Sequence, residues 1–177
     1  MAEGWLLTGE TRRTFGTLST QQVNWKPDAG EWSVGQCFDH LIVSNHPYFA
    51  IIEEIRQGKR RPRLRERLPL LPVLFGKMLI DTLRPDSGRK VKARKAFLPS
   101  SSQIDPGIVA RFVEQEERLL GLMETTRGLD LDGMVITSPV VSFVTYSLMD
   151  AYRIGVAHAQ NHFVQARRVL ETQGFPA

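Results

Sequence analysis

Two histidines near the C-terminus, His158 and His162, are the first residues whose spacing suggests chemistry. They lie four residues apart in the segment YRIGVAHAQNHFVQARRVL, and residues four apart on a helix are neighbours on one face. Apolar and small residues recur at helical spacing on the same face, which predicts that this face packs against a core. For the pair alone two interpretations stay open: core histidines hydrogen-bonded to carbonyls, or two ligands of one metal ion.

A third histidine, His40, favours the metal interpretation. It lies in the apolar segment CFDHLI, and a neutral imidazole is a good ligand for Zn, Ni, Cu or Fe(II). Three imidazoles from two facing helices would leave a coordination position open for water or substrate. His46 is predicted to lie on the surface or at a hinge, because it precedes Pro47 and is turned away from His40 on a helix. Cys37 is predicted to be a small buried hydrophobe and not a ligand.

Four predicted helices must position these histidines. The first covers residues 3–18. The second begins at Ser33, which has capping-box spacing with Gln36, and runs to Gln57 with a kink at residues 43–47 before Pro47. Trp32, before the cap, is expected to pack on Cys37 as a hydrophobic staple.

The other two predicted helices follow a long intervening segment. The third begins with Asp105 as N-cap and Pro106 as the first helical residue, and it ends by Gly128. The fourth begins at Ser147 and stops at Gly174. The β-branched stretch MVITSPVVSFVTY between them could be extended, but a single such stretch cannot form a sheet. These elements predict an all-α protein, a four-helix bundle forming one domain over residues 1–177.

A basic segment separates the second and third predicted helices. Between Arg56 and Lys95 there are 14 Lys and Arg against three acids, a local net charge of +11, so the rest of the +4 chain carries −7. We interpret residues 58–100 as an insert. Its middle, residues 70–83, is apolar and bounded by prolines, too short to span a bilayer but able to form a short helix that could lie on one.

Cysteine content and hydropathy indicate the cellular compartment in which the protein is expected. With Cys37 as its single cysteine, the chain can form no intramolecular disulfide and no cysteine-based zinc cluster. The N-terminus MAEGWLLTGETRRTFG lacks the apolar stretch of a secretory signal. The longest uncharged run, residues 133–149, is shorter than the ~20 apolar residues of a membrane span. These features predict a soluble, cytoplasmic protein.

Two separated motifs resemble a known family. The segment LSTQQVNWKPDAGEWSVGQCFDHL is similar to the opening signature of the DinB-like (YfiT-like) superfamily, and AHAQNHFVQA to its closing His-x-x-x-His-x-x-Gln helix. The resemblance implies an up-down-down-up bundle, often a homodimer, with one divalent metal ion, usually zinc or nickel. It also implies His40, His158 and His162 as the ligands, with Gln165 as a supporting group. The long basic insert departs from shorter members of the family.

The resemblance implies a hydrolase or a transferase of low-molecular-weight thiols acting on a small molecule. A metal could lower the pKa of water for hydrolysis or bind a thiol as thiolate. Either chemistry needs an acid or base, and the candidates are Glu116, which is in register with apolar residues of the third helix, and Tyr152 or Tyr146. For these three a solvated or packing role is the open alternative. Two rival functions remain: a non-catalytic metal sensor or interaction module, and binding of anionic membranes or nucleic acid through the insert.

Overall fold

The computed structural model describes residues 1–67, 71–83 and 95–177 of the chain. Within these ranges the protein is mostly helical, which confirms the all-α prediction. The elements are α1 Ala2–Phe15, α2 Thr20–Asn24, α3 Val34–Arg56, α4 Leu71–Leu83, α5 Ile108–Glu124, β1 Val135–Thr137, β2 Thr145–Ser147 and α6 Leu148–Leu170. Short 3-10 turns cover Leu64–Arg67 and Lys95–Phe97.

The four long helices α1, α3, α5 and α6 form the bundle. Helix α5 packs against both α1 and α3, and α6 packs against both α3 and α1. Contacting residues show the direction of each helix relative to its neighbour. Helices α1 and α5 run antiparallel, as the pairs Trp5–Glu124 and Arg12–Glu117 show, and α3 and α5 run parallel, as Phe38–Phe112 and Asn45–Glu116 show. Helix α3 and the β2–α6 segment run antiparallel, as His40–His158 and Tyr48–Tyr146 show. Helices α3 and α5 are therefore parallel, and each has an antiparallel neighbour. This is the up-down-down-up order that the resemblance implied.

Capping residues set where the two histidine-bearing helices begin. The Ser33 hydroxyl accepts a hydrogen bond from the Gln36 amide, and the Gln36 side-chain oxygen accepts one from the Ser33 amide, so the predicted capping box is present. Ser147 caps α6 in the same way, accepting from the Asp150 amide at 3.0 Å. Helix α3 continues through Pro47 as one element. The sequence therefore predicted both beginnings correctly.

Other predicted boundaries were wrong by a few residues. Helix α5 begins at Ile108 and not at Pro106, because the Asp105 carboxylate accepts a hydrogen bond from the Gly107 amide and holds a turn there. Helix α6 ends at Leu170, four residues before Gly174. Gly174 instead takes a positive φ of 91° in the turn that follows. The predicted first helix, residues 3–18, ends at Phe15, and beyond it lies a short helix that was not predicted, α2, which has a capping box of its own.

The β-branched stretch before α6 forms a small hairpin, which corrects the expectation that it could make no sheet. Strands β1 and β2 pair antiparallel, with Ile136 opposite Tyr146 and Thr137 opposite Thr145. The stretch reverses on itself around Pro139, so its two halves supply each other's hydrogen bonds. The pair packs against the bundle and α4, which gives so small a sheet the apolar support it needs.

The apolar part of the insert is a helix, as predicted, and it lies on the bundle. Helix α4 contacts α6 and β2, and Phe75, Leu79, Ile80 and Leu83 pack against the core at that end. Gly76 allows the close approach, because a Cβ there would collide with the Asp150 carboxylate. The rest of the predicted insert, residues 68–70 and 84–94, lies outside the described residues. Among the helices that the structure describes, none is long and apolar enough to cross a membrane.

The core behind the histidines is aromatic. Phe15 meets Phe38 and Phe163 edge to face, with ring centroids 5.1 and 5.4 Å apart, and Phe38 packs on Phe112. These rings come from all four long helices and are at most 8% exposed. They pack the two histidine-bearing helices, α3 and α6, into one apolar core.

Candidate metal centre

The three predicted histidines come together between α3 and α6. His40 lies seven residues after the Ser33 cap, two turns into α3, while His158 and His162 occupy consecutive turns of α6. Because α3 and α6 are antiparallel neighbours, the N-terminal part of α3 lies beside the C-terminal half of α6. The caps and the helix directions thus bring the three side chains to one height in the bundle.

The imidazole rings converge through their Nε2 atoms. His158 Nε2 lies 3.1 Å from His40 Nε2 and 3.1 Å from His162 Nε2. One nitrogen from each ring lies within 4.8 Å of the other two. The ring centroids are 4.7 to 5.0 Å apart with near-perpendicular planes. His40 and His162 are buried, and His158 is partly exposed.

The surroundings keep these histidines neutral. Burial is the largest cause that lowers the pKa of His40, and a hydrogen bond to Phe97 and the nearby Asp39 carboxylate oppose it only in part. Burial and the two neighbouring imidazoles lower the pKa of His158 well below its usual value. Burial and the neighbouring His40 imidazole lower the pKa of His162 to about 3. A neutral imidazole carries the nitrogen lone pair that a metal needs.

The donor set fits a divalent metal ion. His40 Nδ1 donates to the Phe97 carbonyl, so in the neutral ring Nε2 carries a lone pair. His158 Nε2 has at most one proton in its neutral form and cannot donate it to two neighbours at once. At most one of the two Nε2···Nε2 contacts can therefore be an N–H···N hydrogen bond, whereas a cation could bind the lone pairs of all three atoms. Around zinc, with Zn–N of about 2.0–2.1 Å, tetrahedral ligand nitrogens would be about 3.3 Å apart, close to the observed 3.1 Å.

The end of the insert supplies the group that orients His40. The Phe97 carbonyl accepts from His40 Nδ1 at 2.5 Å, in the manner of the carbonyl partners that fix metal-binding histidines. Three residues later, Ser100 donates through its amide and its hydroxyl to the Asp39 carboxylate, at 2.5 and 3.0 Å. The sequence predicted neither interaction. A backbone carbonyl leaves no mark in a sequence, and Phe97 follows His40 by 57 positions, so the sequence does not show that they are close.

Trp32 forms another wall of the site. Its ring stacks on His162 with centroids 5.6 Å apart and planes inclined by 18°, and it tilts against His40 at 5.0 Å. The sequence singled out Trp32 as a staple for Cys37, whereas the structure shows these contacts with the histidines. The sequence contained one signal for this role. Trp32 lies one residue before the α3 cap, and a side chain at that position packs over the first turns of the helix.

The remaining predicted site residues occupy different positions. Gln165, on the next turn of α6, interacts with His162 and partly opposes the lowering of its pKa, although His162 Nδ1 makes no hydrogen bond with the described residues. His46 is exposed, as predicted for a surface residue. Cys37 is fully buried, and burial raises the pKa of its thiol strongly, which agrees with an apolar packing role.

The acid–base candidates are engaged elsewhere. Glu116 is buried and accepts a hydrogen bond from Asn45 Nδ2 at 3.0 Å, and burial raises the pKa of its carboxyl to about 7. The Tyr152 hydroxyl lies 3.0 Å from Thr126 Oγ1. Those of Tyr146 and Tyr48 are 2.6 Å apart. Among the described hydrogen bonds, those of Glu116, Tyr152 and Tyr146 do not reach the three histidines. A catalytic role for Glu116 or Tyr152 stays a prediction.

Comparison with known proteins agrees with the geometry. The sequence model of the DinB superfamily matches residues 7–166, which include most or all of each bundle helix and all three histidines of the cluster. Searches among curated proteins and solved structures returned no match. Since the family match covers most of the chain, the protein, with its three-histidine cluster able to hold a metal ion, belongs to the DinB superfamily.

Proposed function

We propose that this protein is a metal-dependent enzyme, a hydrolase or a transferase of low-molecular-weight thiols, with one zinc or nickel ion on His40, His158 and His162. The observation that carries the proposal is the convergence of three neutral imidazoles, one of them partly exposed, in the bundle. A divalent ion in such a site supplies Lewis-acid chemistry, which activates water for hydrolysis or a thiol for transfer.

The protein's own residues hold the ligands and limit access to them. The Phe97 carbonyl keeps the proton of His40 on Nδ1, so its Nε2 faces the cluster as a lone pair. Trp32 covers His162 and excludes water from that side. His158 is the partly exposed member of the cluster, so a small-molecule substrate would approach beside it. These features support a site with three fixed ligands and an open side, the arrangement typical of catalytic metal centres.

Metal analysis is the first test. Purified protein is expected to carry about one divalent ion per chain, and His158→Ala should lose most of it, because His158 lies between the other two histidines. His46→Ala is the matched control, since His46 is an exposed histidine on the same helix as His40. If both variants keep the same metal content, the three histidines are not the binding site.

Turnover is the second test and separates enzyme from sensor. We expect activity in a panel of esters, amides, and electrophiles offered with a small thiol, lost with chelator and restored by zinc or nickel. Activity without added thiol, with a pH limb near ~7, indicates hydrolysis. Activity that requires the thiol indicates transfer. Metal-loaded protein that turns over nothing in this panel favours the sensor function, and a fully active His40→Ala contradicts the mechanism.

The homodimer implied by the resemblance is also part of the proposal. Light scattering of the metal-loaded protein should give a mass near twice the 20.0 kDa of the chain. A mass of one chain at micromolar concentration would contradict it.

A further inference from the structure

The end of the basic insert and the residues just after it are attached along the side of α2 and α3 by a series of hydrogen bonds. Asn24 exchanges two of them with the backbone of Ile104, at 2.7 and 2.8 Å. Gln36 Nε2 donates to the Ser101 carbonyl at 3.3 Å. Asp39 accepts from the amide and hydroxyl of Ser100. Side chains on successive turns thus hold residues 97–104 against the face that carries His40.

Asp39 is the acid within this series and has both of its oxygens in use. It is 8% exposed, and each carboxylate oxygen accepts one hydrogen bond from Ser100, one from the amide and one from the hydroxyl. Hydrogen bonds to an ionised acceptor are shorter and stronger than neutral ones. A buried carboxylate with two donors from one residue holds that residue in a defined position and orientation.

The position of Ser100 controls the position of Phe97. Ser100 follows Phe97, the last residue of a 3-10 turn, by three positions, so a displaced Ser100 would carry the Phe97 carbonyl away from His40 Nδ1. Without that acceptor, the neutral His40 ring could move its proton to Nε2, the atom that faces the cluster. A protonated Nε2 cannot bind a metal.

We infer that Asp39 and Ser100 form a clamp that positions His40 for metal binding, acting through the Phe97 carbonyl. The inference rests on the proposed metal site and assigns the end of the insert to that site. Asp39 is a positioning residue, since it touches Ser100 and not the cluster. Coupling between sites is reciprocal, so a bound metal should in turn hold residues 97–104 more firmly against α3.

Two effects of Asp39 must be separated, because its negative charge also favours a nearby cation. A charge effect weakens with added salt, since the Debye length falls from about 10 Å at 0.1 M to about 3 Å at 1 M. Loss of a hydrogen-bonded position does not depend on salt in this way. A charge effect would also leave the proton of His40 on Nδ1, whereas loss of the clamp would release it.

The experiment compares zinc affinity, measured by competition with a chromophoric chelator, for three variants at about 0.1 and 1 M salt. Asp39→Ala should weaken zinc binding by about 10- to 100-fold at both concentrations. Ser100→Ala keeps the charge and one of the two hydrogen bonds, so a loss of about threefold is expected. Asp81→Ala is the control, because Asp81 is exposed on α4 and carries the same charge. It should bind zinc as the wild type does.

Two further readouts report on position directly. Nitrogen-15 NMR of the metal-free protein should show His40 protonated on Nδ1 in the wild type and partly on Nε2 in Asp39→Ala. Hydrogen exchange of residues 97–104 should slow when zinc binds to the wild type, and less so in that variant. Circular dichroism checks that Asp39→Ala is folded. If that variant does not fold, Ser100→Ala provides the test, because Ser100 is exposed and its replacement should not disturb folding.

The outcomes are distinct from those of the proposed function. A wild type that takes up no metal would remove the site itself. A wild type that binds zinc, with Asp39→Ala and Ser100→Ala binding it equally well, overturns the clamp and leaves the site intact. A loss in Asp39→Ala that disappears at 1 M salt, with the His40 proton still on Nδ1, also overturns it and assigns Asp39 a purely electrostatic effect.

Discussion

Replacing Glu116 by glutamine should stabilise the protein at neutral and alkaline pH, with no effect near pH 4.5. Glu116 is 2% exposed, and burial raises the pKa of its carboxyl from the usual 4.5 to about 7, partly offset by the hydrogen bond from Asn45. Between these two values the unfolded chain releases a proton that the folded protein retains. The free energy of unfolding therefore falls as pH rises through this window.

The size of the effect follows from the shift. A difference of about 2.5 pKa units at 1.36 kcal/mol per unit corresponds to about 3 kcal/mol, reached fully above pH 7. Glu116→Gln keeps an oxygen that can accept from Asn45 but never ionises, so it avoids this loss. The lowered pKa values of the three histidines make the free energy of unfolding rise with pH below pH 6.5, which is opposite to the effect of Glu116. Both proteins carry these histidines, so the quantity to measure is the difference in the free energy of unfolding between variant and wild type.

Urea unfolding of both proteins, followed by circular dichroism with chelator present at pH 5, 6, 7 and 8, gives that difference. It should grow from just under about 1 kcal/mol at pH 5 to about 3 kcal/mol at pH 7 and above. The control is Glu117→Gln. Glu117 is the neighbour of Glu116 on α5, and its partly exposed carboxylate pairs with Arg12 of α1. That change should stay below about 1 kcal/mol at each pH. A difference between Glu116→Gln and wild type that does not change with pH would refute the reasoning.

Three further predictions concern other parts of the molecule. Tyr152→Phe should lower the free energy of unfolding by about 1 kcal/mol, because it removes the hydroxyl that is hydrogen-bonded to Thr126. Atomic absorption should show that this variant keeps its metal. A loss of metal would place Tyr152 at the site. Any binding to anionic vesicles, measured by sedimentation, should be electrostatic, because the apolar face of α4 packs on the bundle and does not face a membrane. Binding seen at low salt should therefore vanish by about 0.5 M salt. Binding that resists salt would indicate an apolar element inserted into the membrane. Trp32→Ala should weaken zinc binding several-fold, because its ring fixes His162; equal affinity in the same chelator assay would limit Trp32 to packing.

The sequence was sufficient for features that depend on local spacing. Ser33 and Ser147 begin the two histidine-bearing helices because a capping hydroxyl bonds an amide three residues away, a relation within a single turn. Those caps, with the 3.6-residue period, determine that His158 and His162 share a face and that His40 lies two turns into its helix. The all-α class follows from the same periodicity. Boundaries at Asp105 and Gly174 were misplaced, because turn-forming residues there resemble caps.

Tertiary structure decided what depends on segments distant in the chain. The hairpin formed because two halves of one β-branched stretch had α4 and the bundle to pack against, and α4 itself was attached to the bundle and not left at a surface. The pKa of Glu116 depends on the apolar side chains of other helices around it. The proton of His40 is placed by a backbone carbonyl that any residue at position 97 would provide. Sequence spacing could therefore specify which residues are able to bind a metal, while only the packing of remote segments determines how they are oriented, buried and kept neutral.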